Sequence, residues 1–306
     1  GRGHPVWIPE PNSRLPDTYR EKGTCIGDVG IITPEGGFDF LFNICLTAEN
    51  PINAGNLPLG FAPISPSLDK RDIREFREFQ RGQYLASSIR VKGSGTMFDT
   101  GLDFEPTSPE GAILTLPDGA FTQELNNLSL FRRFIAYHAK SWYEFVNGPR
   151  GREAKNGDLR VVVGCDKTTS WGMATFTDIA SPSDLQVQFN ANHQPTGSTS
   201  KTNSWICTGI ADLKTGPDDS EPLQSALATK LDRPRNQCLF IRTLSVTLSK
   251  ALWKSVRRRG SSPPRNLYLR RLQEPAEKIY RPVSVDLLCD HQTSTALSCR
   301  SSSDYP

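Results

Sequence analysis

The sequence predicts an α+β fold, built mainly of antiparallel strands with one long amphipathic helix packed on them. Three observations carry that expectation. Two apolar runs at 27–33 and 38–46 flank Pro34-Glu35-Gly36-Gly37, a turn in which proline presets φ and the glycines tolerate positive φ. Apolar residues recur every three or four positions over 122–147. Short β-branched or aromatic runs at 159–165, 171–177 and 185–189 are separated by Asp, Ser, Thr and Pro. With 24 Gly and 23 Pro in 306 residues, the chain favours turns over many long helices.

Taken in order, residues 1–24 are rich in Pro and charge and read as an extended N-terminal arm. The hairpin of 27–46 follows, then a proline-marked loop through Pro66. Asp69 is placed to cap a short helix that carries Ile73 and Phe76 on one face and stops at Gly82. Strands are expected at 84–91 and 112–116. In the long helix, Leu125, Leu128, Phe131, Ile135, His138, Trp142 and Phe145 form one stripe, and Asn147-Gly148-Pro149 supplies a left-handed cap and a stop. The runs after it read as an antiparallel meander, with a further strand at 205–210 and a mobile polar loop at 192–203. Alternation over 238–248, broken by Arg242, marks a long last strand.

Charge divides the chain. Between Leu231 and Arg281 there are 13 basic residues against Asp232, Glu274 and Glu277, which leaves 23 basic and 30 acidic residues elsewhere. The net +3 therefore hides an acidic body and a basic tail. The expected organisation is an arm at 1–24, one β-rich domain at 25–249, and a largely disordered basic tail at 250–306. No window supplies the roughly 20 apolar residues of a membrane span. Seven widely spaced cysteines, an odd number, read as reduced and mostly buried, which places the protein in the cytoplasm; the basic tail offers a nuclear address as the alternative.

Chemistry-bearing patterns are sparse. Gly164-Cys165-Asp166-Lys167-Thr168 follows an apolar run as a phosphate loop would, but that loop needs glycine before its lysine, and here Asp166 would repel phosphate. Asp166, Lys167 and Trp171 are read instead as an exposed turn between strands. Cys165 is a candidate nucleophile with His138 or His193 as base, and Asp166 a candidate acid, since a thiolate needs a nearby base or cation to form. His138 on an apolar stripe is otherwise a packed core histidine. No metal-ligand spacing is present, and no metal or cofactor is expected. Lys254, Arg257, Arg258, Arg259, Arg270 and Arg271 suit contact with anionic lipid or nucleic acid, with Leu252, Trp253 and Val256 as an apolar helical face beside them.

Several stretches together resemble a family of proteins from mushroom-forming fungi. They are Gly27-Asp28-Val29-Gly30 with Phe38-Asp39-Phe40-Leu41-Phe42-Asn43, His138 with Trp142, Gly164-Cys165-Asp166-Lys167 with Ser170-Trp171-Gly172, and Asn236-Gln237-Cys238. The resemblance covers about 18–248 and implies a cytosolic protein, with no activity or catalytic residues to carry over. The function expected is a non-enzymatic intracellular interaction or regulatory module with a protein partner. The alternatives are a hydrolase-like small-molecule enzyme centred on Cys165 and Asp166, and association of the basic tail with an anionic surface.

Overall fold

The computed structural model describes residues 2–93, 95–191, 203–217, 234–260 and 298–300. In chain order the elements are β1 (His4–Pro5), α1 (Asp17–Lys22), β2 (Asp28–Ile32), β3 (Phe38–Asn43), β4 (Ile73–Phe79), β5 (Gln83–Ser87), β6 (Ile89–Lys92), β7 (Leu102–Pro106), β8 (Gly111–Leu116) and β9 (Ala120–Leu125). They continue with α2 (Leu128–Asn147), β10 (Leu159–Thr168), β11 (Trp171–Phe176), β12 (Gln186–Asn190), β13 (Ser204–Thr208), β14 (Asp212–Gly216), β15 (Gln237–Ser245), α3 (Lys250–Gly260) and β16 (Ser298–Arg300).

All described strand pairs are antiparallel, in three sheets, so the α+β class and its mainly antiparallel character stand. The first sheet runs β1-β15-β10-β2-β3, and β9 and β4 branch from β10. Along one edge of β10, Leu159, Arg160 and Val161 face β2, whereas Gly164 through Lys167 face β9, so the sheet forks. The second sheet is β14-β11-β8-β5-β16 and the third β13-β12-β7-β6.

Packing orders the layers. The stripe of α2, with Phe131, Ile135, Ala139, Trp142, Tyr143 and Val146 buried, covers Val29, Leu41, Val161, Leu244 and Val246 of the first sheet. Phe42 meets Trp142 edge-on at 5.5 Å. Phe79, Leu85, Leu114, Trp171, Met173 and Leu239 join the first sheet to the second. On its other side the second sheet shares a core with the third, through Tyr84, Ile113 and Phe176 against Phe104, Val187 and Phe189. The second sheet is thus sandwiched, which is why 111–116 and 171–176 read as near-continuous apolar runs.

The hairpin of β2 and β3 forms as expected. Other expectations are corrected. The helix predicted after Asp69 is a single 3-10 turn, Lys70–Asp72, capped by Asp69 and followed by strand β4. Ile73 and Phe76, three apart, lie on opposite faces of this strand, and only Phe79 is returned to the face of Phe76, by a bulge between Arg77 and Phe79. The long helix begins at Leu128 rather than 122, because 120–125 pairs with β4 and β10 as β9, and its end at Gly148 has φ −94°, not a left-handed cap. The strand expected over 84–91 breaks in two at Ser88, with φ 60°. The meander does not exist: β10, β11 and β12 enter three different sheets.

The ends of the chain also differ from the reading. The arm is built into the fold: β1 pairs with β15, Val6 is buried, and Tyr19 of α1 lies 4.5 Å from the Phe40 ring. The tail boundary at Lys250 falls at the start of α3, whose Leu252, Trp253 and Val256 pack on the core, Trp253 edge-on to Tyr143 at 5.1 Å. Burial of that apolar face holds 250–260 to the domain. The polar loop at 192–203, apart from Asn203, and the tail beyond Gly260, apart from 298–300, lie outside the described residues.

Candidate functional site

Strand β10 delivers Cys165, Asp166 and Lys167 to the centre of the forked sheet, and alternation sends Asp166 to one face and its two neighbours to the other. On the first face, one oxygen of Asp166 accepts from both terminal nitrogens of Arg242, at 2.9 Å each, and from the Thr122 hydroxyl at 2.8 Å. Burial raises its pKa and Arg242 opposes the rise. A Cβ at Gly164 would lie 2.6 Å from Arg242 Nε, so glycine is what lets the guanidinium lie across the strand. The break that Arg242 makes in the alternation of β15 is this ion pair.

On the second face, Lys167 is 7% exposed. Its Nζ donates to the Lys22 carbonyl, the last of α1, at 2.8 Å and to Cys25 Sγ at 3.5 Å. The negative end of the α1 dipole favours the ammonium there. Burial works against its charge, but Cys165, Cys25, Cys238 and Asp28 outweigh it and hold the pKa above the ordinary lysine value. Burial pushes Cys25 up to about 11, with Lys167 opposing. Cys165 is drawn down by its contact with Cys238, which is raised in turn. Behind Cys25, the buried Asp28 accepts from Tyr19, from Cys25 N–H and from Asn43, and burial lifts its carboxyl to about 7 against those bonds and Lys167.

Two cavities flank the contact between α1 and the start of β15. The larger, about 800 Å³, does not reach Cys165, Asp166 or Lys167. It is walled by Glu10, Arg20, Asp39 and Arg152, with Asn236 and Gln237 also lining it. Trp171 Nε1 donates to Gln237, Gln237 to Asn236, and Asn236 to the Arg20 carbonyl. The smaller cavity, about 320 Å³, lies over Lys167 and Cys25 and is bordered by Lys22, Glu75, Phe121 and Arg235. Volume favours the first and buried charge the second. Between them the end of α1 packs directly on the start of β15, since a Cβ on Gly23, whose φ is +63°, would stand 2.2 Å from the Asn236 carbonyl oxygen.

The expected residues are scattered by this geometry. Asp166, Lys167 and Trp171 do not form an exposed turn: they are 1%, 7% and 1% exposed, because β10 runs three residues past Cys165 and β11 begins at Trp171. His138 sits half-buried on α2 among Phe134, Tyr137 and Trp142 and makes no described hydrogen bond to Cys165 or Asp166. His193, Arg270 and Arg271 lie outside the described residues. Lys254 and Arg257 are exposed on α3, and Arg258 and Arg259 belong to its last turn.

Arg20, Lys22, Cys25, Arg152 and Arg235 were not singled out by sequence reasoning. Only Asn236 and Gln237, beside Cys238, carried a signal, as part of the resemblance. Among the described residues no cluster of His, Cys, Asp and Glu suits a metal ion, and no helix is long and apolar enough to cross a membrane. Comparison of this chain with protein-family models, with curated proteins and with solved structures finds no match to any of them.

Proposed function

We propose that the protein is a non-enzymatic interaction module of the cell interior, which binds an extended segment of a protein partner in the larger cleft. One observation carries this reading: the amide relay from Trp171 through Gln237 and Asn236 to the Arg20 carbonyl. Each side-chain amide has two N–H groups and the relay uses one, so Asn236 and Gln237 each keep a donor suited to peptide carbonyls. Around them the ion pair of Arg152 with Asp39, at 3.1 Å, supplies charge, and Ile8, 40% exposed, supplies apolar contact. A cleft with a few fixed polar groups and an apolar wall is an ordinary binding site. Free thiols at Cys25, Cys45, Cys165, Cys207 and Cys238 accord with a reducing compartment.

Selection of displayed random peptides on the full chain tests the reading, with Ile8→Asp and Arg152→Glu as rim variants. Wild type is expected to enrich a common motif, and each variant to weaken it by roughly tenfold, the loss of one charged or apolar contact. Absence of enrichment, or binding to both variants as tight as to wild type, refutes the proposal. Recovery of peptides cut during selection would favour the enzyme reading instead. A further arm replaces Lys254 and Arg257 by Gln: salt-sensitive binding to anionic vesicles or nucleic acid that falls in this variant would favour association through the basic segment.

A further inference from the structure

We propose that the smaller cavity, over Lys167, is a binding site for the phosphate group of a small phosphomonoester. The inference begins from an imbalance. Buried charges in proteins are paired or bound to an ion, yet among the described residues Lys167, only 7% exposed, makes no direct ion pair, and the nearby Asp28 spends its carboxylate on Tyr19, Cys25 N–H and Asn43. The described hydrogen bonds of Lys167 go to a carbonyl and a thiol sulfur, which leaves one of three N–H groups for the cavity it lines.

The surrounding residues extend the same charge. Lys22 and Arg235 border the cavity with Lys167, and Glu75 is its one carboxylate. Glu75 is already engaged, by Arg235 at 3.4 Å and by the Gln123 amide at 2.7 Å. Three cations against one carboxylate give the lining a formal +2, which matches a phosphate dianion. Arg235 is held in place by stacking: its guanidinium lies 4.0 Å from the centre of the Phe121 ring, while Arg77 approaches the same ring at 4.6 Å. Such a fixed guanidinium loses little freedom on gripping an oxyanion. At about 320 Å³ the cavity lies at the lower end of the range for small-ligand sites, roughly 300–1,000 Å³.

The site lies apart from the larger cleft and does not depend on what that cleft binds. Calorimetric titration of the full chain with inorganic phosphate and with glycerol 2-phosphate, against chloride at matched ionic strength, tests it. Binding of both phosphate compounds is expected, with glycerol 2-phosphate the tighter. Lys22→Gln and Arg235→Gln, both at exposed positions on the open rim, should each weaken it by about tenfold, the worth of one charge-assisted hydrogen bond. Cys25 gives a second readout. It lines the cavity, so bound phosphate should slow its alkylation by iodoacetamide, while Cys207 on β13 reacts at an unchanged rate. Tighter binding of inorganic phosphate than of the ester overturns the assignment to a phosphomonoester. No binding of either compound, binding by both variants as tight as by the unsubstituted chain, or alkylation of Cys25 indifferent to phosphate overturns the site itself.

Discussion

The two ends of the layered stack solve the same packing problem differently. Where the second and third sheets meet, the interior is apolar, and of the fourteen buried polar or charged residues among those described only Thr115 belongs to those sheets. The forked first sheet, its arm and its connections hold the rest, including Asp28, Asn43, Asn53, Asp166 and Lys167. The reason lies in connectivity. Regular strand pairs of the second and third sheets satisfy their own backbone groups through ladder hydrogen bonds. Apart from the short β1, the arm, α1 and the long loop after β3 have no ladder, so side chains must satisfy and anchor them. Asn53 shows this directly: its side chain accepts from Asn43 N–H at 2.8 Å and donates to the carbonyls of Asn43, Leu46 and Thr47. Buried polarity here fastens irregular chain to a sheet.

That contrast can be broken most severely at Arg242. Arg242→Met leaves the Asp166 carboxylate buried beside Thr122 alone, a loss expected to cost about 3–5 kcal/mol in urea unfolding. Adding Asp166→Leu should return most of it, because no unpaired charge then remains. If the double variant is no more stable than the single one, the pair matters for more than mutual charge compensation.

A smaller effect separates the two ends by pH. Asp28 titrates at about 7 in the folded chain and at an ordinary carboxylate value, about 4, when unfolded. Between those values the folded chain keeps a proton that the unfolded chain has released. Stability conferred by this group is therefore complete below pH 4 and declines as pH rises to 7, by roughly 4 kcal/mol at most. Urea midpoints measured from pH 4.5 to 7.5 should fall across this window in wild type and flatten in Asp28→Asn. An unchanged slope in the variant would assign the pH dependence to another group.

The mildest change belongs to the apolar end. Ile113→Val, in the core shared by the second and third sheets, should cost about 0.5–1.5 kcal/mol, equally at both ends of that pH range. A cost that changed with pH would show the two ends to be electrostatically coupled, contrary to the contrast drawn here.

The same contrast explains what the sequence made legible. The β2–β3 hairpin and most of α2 announce themselves because turn chemistry and a 3.6-residue stripe are local. The start of α2 was misplaced because Thr122 and Leu125 happen to continue its period, although Thr122 is committed to Asp166 and Asn126 bonds to the Arg71 carbonyl. Strand β4 looks helical because its apolar residues fall three apart, with Ile73 and Phe76 on opposite faces and Phe79 beyond a bulge. Asp166 and Lys167 read as surface residues since acids and lysines usually are. Their partners, Arg242 and Lys22, stand 76 and 145 positions away, beyond any periodicity.

The fork in β10 carries a kinetic consequence. Its ten residues align three other strands, β2 and β9 from earlier in the chain and β15 from much later, so the sheet cannot be completed by hairpin zipping alone. Closing pairs such as Cys165 with Ile241 requires a long loop to be ordered before the contact repays its entropy. Docking of β15 on β10 is therefore the natural slow step in refolding, and substitutions along that seam should alter the folding rate more than those in the early hairpin.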